Sequence, residues 1–436
     1  MIYQNLLLNL ILPAADMAAG TRYKYYLKLF RDLSKFSRED IEKWQNEKIK
    51  KLVRHCYENV PFYTEFMRDN NIRPEDIKNA EDLKVFPVLT KEFIKENFEK
   101  FIPSNLTEYR YKTAATGGST GVPMKYYVSY KAQSAIWAKR IFVLSKFGYS
   151  FGDRYLALGS SSIIPGSKEK GASKYFHKLT RVIPLNAASM NKDNCETALA
   201  IIRKYKLKMI YGYASSVYLL AKYVLDNSID IKLKICMTTS EKLTEHYEST
   251  IKKAFGCTVI DEYGDREAGI YSYKCPEGLF HMIETCVFYT ENDQKRGEIT
   301  ATNLVNFAMP FINFNVKDVI TLHDSICSCG SNTRTFKDIL GRSSEVIELS
   351  NGNVITGPAF TILFSKLPVK TYQIAKTGDK ELEIRIEKGE GFTDETENTI
   401  INSFVKYAGK EIDLKFNYKY EFKLLPSGKR NYFVNS

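Results

Sequence analysis

TGGSTGVP, Thr116–Pro123, sets three glycines and three hydroxyl residues together, just ahead of the β-prone run Met124–Ser129. Glycine lets a backbone bend sharply and come close to a ligand. Successive amide N–H groups and Ser/Thr hydroxyls then wrap an anion, most often a phosphate. The run lacks the Gly-Lys-Ser/Thr ending of a P-loop, so it is not a Walker A site. Taken alone, it reads equally well as a flexible turn between two strands.

The chain around it has 436 residues, too many for one ordinary core, and two domains are expected. Apolar residues make up 44% and aromatics 13%, enough to fill sizeable cores, with no repeat or low-complexity tract. No run is long enough to span a membrane. The apolar start, Ile2–Leu12, is interrupted by Gln4, Asn5 and Asn9 and reads as a docked segment rather than an export signal. Eight cysteines are too sparse for a disulfide scaffold, so a reducing cytoplasm is expected. The net charge is +12, yet residues 341–436 hold 14 Lys/Arg against 13 Asp/Glu, so the excess lies in the first 340. Part of it alternates with aromatics between Arg22 and Arg54. That pattern is a solvated helix face, or else a surface for polyanions such as ATP and coenzyme A, or for peripheral contact with an anionic membrane. No nucleic-acid module accompanies it, so no nucleic-acid partner is expected. Oligomeric state is not legible.

Residues 20–100 read as helical, with an apolar stripe through Ile41, Trp44, Ile49, Leu52, Val53 and Cys56. The middle alternates strands (Arg154–Leu158, Met209–Tyr211, Ile235–Thr238, Thr258–Ile260) with helices (Cys195–Tyr205, Ser215–Asn227, Thr244–Phe255). That order predicts an α/β layer with a largely parallel sheet. After Gly341 the texture changes. Glu381–Glu387 alternates, Thr393–Tyr407 has helical spacing, and Leu414–Phe422 alternates again, predicting a small α+β domain over 341–436 behind a large one over 1–340.

Further motifs stand in order along the chain: HCYENVPFY (His55–Tyr63), EDLKVFPVLTK (Glu81–Lys91), DEYGDREAG (Asp261–Gly269), MPFINFNVKD ending at Asp318, GRSSEV from Gly341, and LPSGKR with Lys429. Together with the glycine-rich run they resemble the adenylate-forming ligases, in the phenylacetate–CoA ligase-like branch that includes CapK-type proteins. The resemblance implies a large α/β adenylation domain and a small mobile C-terminal domain. It implies ATP-dependent activation of a carboxylic acid as an acyl-adenylate, then transfer to coenzyme A, or to an amine. The CapK-like text leans toward surface-polysaccharide biosynthesis. A catalytically weak nucleotide-binding scaffold of such a pathway is the rival reading.

By the same resemblance, Thr116, Gly117, Gly118, Ser119, Thr120 and Gly121 hold phosphates. Ser240 and Glu241, in TTSE, line the adenine side, Tyr263 stacks on adenine with Gly264 beside it, and Asp318 receives the ribose hydroxyls next to Arg342. Glu267 helps hold Mg²⁺, and Lys429 reaches the bridging oxygens. Tyr213, Ala214 and Gly269 are the acid-binding candidates. Ser343-Ser344 falls at the hinge. Asn313 departs from the pattern, which has arginine there, and removes a fixed cation that Lys317 only loosely replaces. Cys275, His281, Cys327 and Cys329 have the make-up of a closed Cys₃His zinc site. Reduced, partly buried thiols are the alternative.

Overall fold

The computed structural model describes residues 2–115, 124–159, 180–186, 190, 192–290, 295–323, 325–342, 346–349, 354–356, 363–364, 367–422 and 433–435. The phosphate-loop residues 116–121, the Ser343-Ser344 hinge and Lys429 lie outside them.

A helical segment, Ile2–Ala19, leads into α1 (Tyr23–Leu33), α2 (Arg38–Asn59) and α3 (Pro61–Asp69). Ser37 caps α2 by accepting from the Asp40 amide, which satisfies an end N–H that has no helical partner. The apolar stripe of α2 is buried at Ile41, Ile49, Leu52, Val53 and Cys56, while Trp44 is half-buried. The hairpin β1 (Tyr111–Ala115) and β2 (Lys125–Ser129) follows, then α4 (Tyr130–Lys146), capped by Ser129.

Among the described residues, eleven strands then build one sheet: β3 (Tyr155–Gly159), β4 (Val182–Asn186), β5 (Met209–Tyr213), β6 (Ile235–Thr239), β7 (Thr258–Asp265), β8 (Ile270–Lys274), β9 (Phe280–Met282), β10 (Cys286–Thr290), β11 (Arg296–Asn303), β12 (Phe314–His323) and β13 (Thr335–Arg342). Their order is β10-β11-β12-β13-β9-β8-β7-β6-β5-β3-β4. From β4 to β7 the pairing is parallel, with α5 (Lys192–Tyr205), α6 (Ala214–Asp226) and α7 (Glu245–Phe255) as crossovers. Every other pairing in the sheet is antiparallel. The largely parallel sheet read from the sequence is therefore half the truth. Tyr271 and Tyr273 recur in the alternating run after Gly269, and such short turns permit only antiparallel return. Strand β7 also outruns its expected end and carries the DEYGD residues within it.

A separate four-stranded sheet, β18-β17-β16-β19, follows two short paired strands, β14 (Val346–Glu348) and β15 (Val354–Thr356). It comprises β16 (Val369–Gly378), β17 (Glu381–Lys388), β18 (Asp413–Asn417) and β19 (Phe433–Asn435). Helix α8 (Asp394–Ala408) packs on it, and Leu382, Ile384, Ile386, Ile400 and Phe404 form a core of their own. The alternation beyond Asn417, at Tyr418, Tyr420 and Phe422, is not strand. Tyr418 is held instead by a hydrogen bond to Glu397 on α8.

Candidate active site

The carboxyl ends of parallel strands gather loops at one edge, where open α/β sheets bind ligands. Strand β5 ends at Tyr213 and β6 at Thr239, so Tyr213, Ala214, Ser240 and Glu241 come together there. Glu241 accepts from the Ser215 amide at 2.8 Å, in the first turn of α6, where a carboxylate also meets the helix dipole. Ser240 holds φ at +66°, a conformation costly for a residue with a side chain. Gly212 admits no side chain, since a Cβ would stand 2.6 Å from the Leu158 carbonyl oxygen. Tyr213 is half-buried and Ala214 fully buried at the start of α6.

Next in the sheet, β7 carries the central motif. The Tyr263 hydroxyl donates to Asp318 Oδ2 at 2.7 Å, joining residues 55 apart in sequence. Asp318 in turn sits opposite Arg342 in the β12–β13 ladder. The Tyr263 ring meets Phe336 edge-on, 6.0 Å between centroids. Gly264 is exposed opposite Tyr271 of β8. Three of the predicted nucleotide residues thus converge from two motifs and the last strand of the large sheet.

Glu267 lies in the turn beyond, and its carboxyl is pushed up to about 7 by burial and by the nearby Asp265 carboxylate. Asp265 Oδ1 accepts from the Ala268 amide at 2.7 Å and pins that turn. Two crowded carboxylates, one of them buried, suit a hard divalent cation with oxygen ligands, so this donor set fits Mg²⁺. Gly269 closes the turn at φ +72°, its Cα against the Asn303 side chain.

Beneath Tyr263 is a buried charge cluster that the motif reading missed. The Arg140 guanidinium forks onto Glu262, Nε to Oε2 at 3.1 Å and Nη2 to Oε1 at 3.2 Å. Glu262 also accepts from Tyr271 at 2.7 Å, Thr239 at 3.2 Å and Tyr211 at 3.3 Å. Arg140 lies over the Tyr211 ring, 4.1 Å from its centroid. One signal for it existed: Lys139-Arg140 interrupts the apolar run of α4.

Asn313, where the pattern has arginine, is a structural anchor. It is fully buried at φ +57°, a conformation asparagine tolerates. Its Nδ2 donates to the carbonyls of Leu83 (2.7 Å) and Phe86 (3.0 Å), tying the Glu81–Lys91 motif to the Asp318 motif. The Tyr63 hydroxyl, from the third motif, accepts from the Ile312 amide at 2.8 Å. Lys317 points to Glu92, at 3.4 Å.

The four predicted metal ligands come together from the β8–β9 connection (Cys275), strand β9 (His281) and the β12–β13 connection (Cys327 and Cys329), their ligand atoms all within 4.8 Å of one another. Cys275 Sγ and Cys327 Sγ are 3.8 Å apart, and Cys329 Sγ lies 3.3 Å from His281 Nε2. A tetrahedron with Zn–S bonds of about 2.3 Å has edges of about 3.8 Å. His281 Nδ1 bonds the Thr333 hydroxyl at 3.0 Å, which orients Nε2 toward Cys329, as an outer partner of a metal-binding histidine does. Burial pushes the His281 ring down to about 4, so it is neutral and able to ligate. The set fits zinc in its chemistry and its spacing.

A mixed eleven-stranded sheet and a smaller C-terminal sheet, among the described residues, are a fold shared with solved CoA ligases. No family model matches the chain. The chain is similar along its length to protein CapK of Staphylococcus aureus, 22% identical over 450 residues that span 100% of this chain and 97% of that one. Phenylacetate–coenzyme A ligase of Thermus thermophilus is 22% identical over 406 residues, 86% of this chain and 87% of the other. The corresponding ligase of Aromatoleum evansii is 25% identical over 343 residues, 74% and 75% of the two chains. Among solved structures, a 2-hydroxyisobutyryl-CoA ligase in the postadenylation state superposes with a TM-score of 0.69 over 92% of this chain and 91% of the other, at 15% identity. The resemblance read from the motifs agrees with these similarities, and the fold is shared with the solved ligase. No helix among the described residues is long and apolar enough to cross a membrane.

Proposed function

We propose that this protein activates a carboxylic acid with ATP and passes the acyl group to coenzyme A. The Tyr263–Asp318 contact, with Arg342 across the ladder, carries the reading, because it assembles an aromatic face and a carboxylate acceptor of the kind a nucleoside needs. In the first step a carboxylate oxygen of the acid bonds to the α-phosphorus of ATP while the bond to pyrophosphate breaks. In the second, the thiol sulfur bonds to the acyl carbon and AMP leaves. Bound Mg²⁺ offsets phosphate charge. Thr116–Gly121 hold the phosphates, Tyr263, Gly264, Ser240 and Glu241 frame the adenine, and Asp318 with Arg342 fixes the ribose. Glu267 holds the metal, and Lys429 supplies the charge that stabilises the pentavalent phosphorus. Tyr213, Ala214 and Gly269 face the acid.

The large unit covers 1–340 and the small one 341–436, with Ser343-Ser344 as the hinge between the two half-reactions. Zinc at Cys275, His281, Cys327 and Cys329 is a structural clip with no catalytic role. Kinship with CapK supports a place in surface-polysaccharide synthesis, in the cytoplasm. The test is a panel of carboxylic acids assayed for ATP-dependent pyrophosphate release, followed by thioester formation with coenzyme A. Release with no acid in the panel would refute adenylation if ATP binds normally.

A further inference from the structure

Helix α4 sets two successive basic residues against opposite ends of one motif. Arg140 meets Glu262, ahead of Tyr263. Lys139 meets Gly269, at the far end, its Nζ donating to the carbonyl at 2.9 Å. Lys139 is 1% exposed. An ammonium has three N–H donors, and the Gly269 carbonyl is its one acceptor among the described residues. No described carboxylate pairs with it; the titratable group acting on it is the Cys286 thiol, which burial pushes up to about 12 and so keeps neutral. A buried cation with no counter-charge is costly, and the cost pushes the Lys139 amine down to about 8.

Asn303 stands on the other side of Gly269. A Cβ added to that glycine would lie 2.6 Å from Asn303 Cγ and 2.7 Å from Nδ2. Asn303 Oδ1 accepts from the amides of Val305 (2.9 Å) and Asn306 (3.3 Å), which fixes which end is oxygen. Its Nδ2 has no acceptor among the described residues. Lys139, Gly269 and Asn303 line one recess, with Val128, Ala135 and Arg266. Two donor groups, one of them a buried full positive charge, therefore line one recess, and among the described residues the acceptor bonded to them is the Gly269 carbonyl. A hydroxyl would bring another donor and no charge, whereas a carboxylate brings acceptors and the missing negative charge.

We propose that this recess is the subsite for a second carboxylate on the substrate, so that the acid activated is a dicarboxylic acid. One carboxylate reacts at the nucleotide and the other is held by Lys139 Nζ and Asn303 Nδ2. The inference rests on the acid-activating reading above.

The experiment compares matched acids with the wild-type protein and ATP: succinate against butyrate, glutarate against pentanoate, terephthalate against 4-methylbenzoate. Pyrophosphate release gives kcat/KM, and thermal-shift titration of the same acids gives binding. Release favours the dicarboxylates. Lys139→Met keeps the side-chain volume, and Asn303→Asp keeps Oδ1 while placing an anion beside Lys139. Either variant lowers the dicarboxylate-to-monocarboxylate ratio of kcat/KM about tenfold to a hundredfold, the scale of a charged hydrogen bond, mainly through KM. Equal wild-type use of both acids in each pair, or a ratio that neither variant moves, overturns the subsite and leaves acid activation standing. Dicarboxylate binding that Asn303→Asp abolishes, with no release from any acid, overturns acid activation and leaves the subsite standing. Neither binding nor release overturns both.

Discussion

Replacing Glu262 by alanine strips Arg140 of its partner at a place largely shielded from water. The side chains of the pair are 14% and 5% exposed. Glu262 also loses its bonds to Tyr271, Thr239 and Tyr211, so three hydroxyls change partners at once. Breaking a buried pair from one side costs about 3–5 kcal/mol, because the remaining charge stays buried without compensation. With a urea slope of about 3 kcal/mol per molar, at the upper end for small domains, the midpoint falls by about 1–1.7 M. Tryptophan fluorescence reads this in the right place: the chain has two tryptophans, Trp44 on α2 and Trp137 on α4, one turn from Arg140. The double variant Arg140→Met, Glu262→Leu removes both charges and recovers most of the loss, since an apolar pair of similar volume often replaces a buried ion pair without cost. A single-variant midpoint shift under about 0.3 M at unchanged slope, below about 1 kcal/mol, would refute the reasoning. So would a double variant as unstable as the single one.

Lys429→Ala lowers acyl-adenylate formation by at least about a hundredfold, the scale of one fixed transition-state charge, while ATP affinity changes little; equal single-turnover rates in variant and parent would remove Lys429 from the chemistry. Protein purified without chelators carries about one zinc per chain, and Cys327→Ser lowers the melting temperature more than it lowers turnover; elemental analysis finding no zinc would return the four side chains to ordinary thiols and a core histidine. The Asp261 carboxyl is pushed up to about 7 by burial, against an ordinary value of 3.8, so the folded state holds the proton more tightly. Its contribution to stability therefore falls as pH rises from about 4 to about 7, and the cost is complete above that. Asp261→Asn is more stable than the parent at pH 8, by a margin that shrinks toward pH 4; a margin independent of pH, measured by urea midpoints, would show that Asp261 titrates normally.

The motifs, their order and the helix and strand periodicities were legible from the residues alone, because each is local. Glycine runs, caps and apolar stripes act over a few residues. The change in texture after Gly341 and the Cys₃His set were legible for the same reason, as residue types at recognisable spacing. Strand direction was not, since parallel and antiparallel neighbours share one alternation and differ only in how the chain returns. Nor was the role of Asn313. Its partners, Leu83 and Phe86, lie more than two hundred positions away, and a buried amide differs from a surface one only by what folds against it. The same holds for Lys139, Arg140 and Glu262. Their charges look like ordinary solvated ones in sequence, and tertiary packing alone removed the water, set Glu262 against Arg140 and left Lys139 facing a recess with no counter-charge among the described residues.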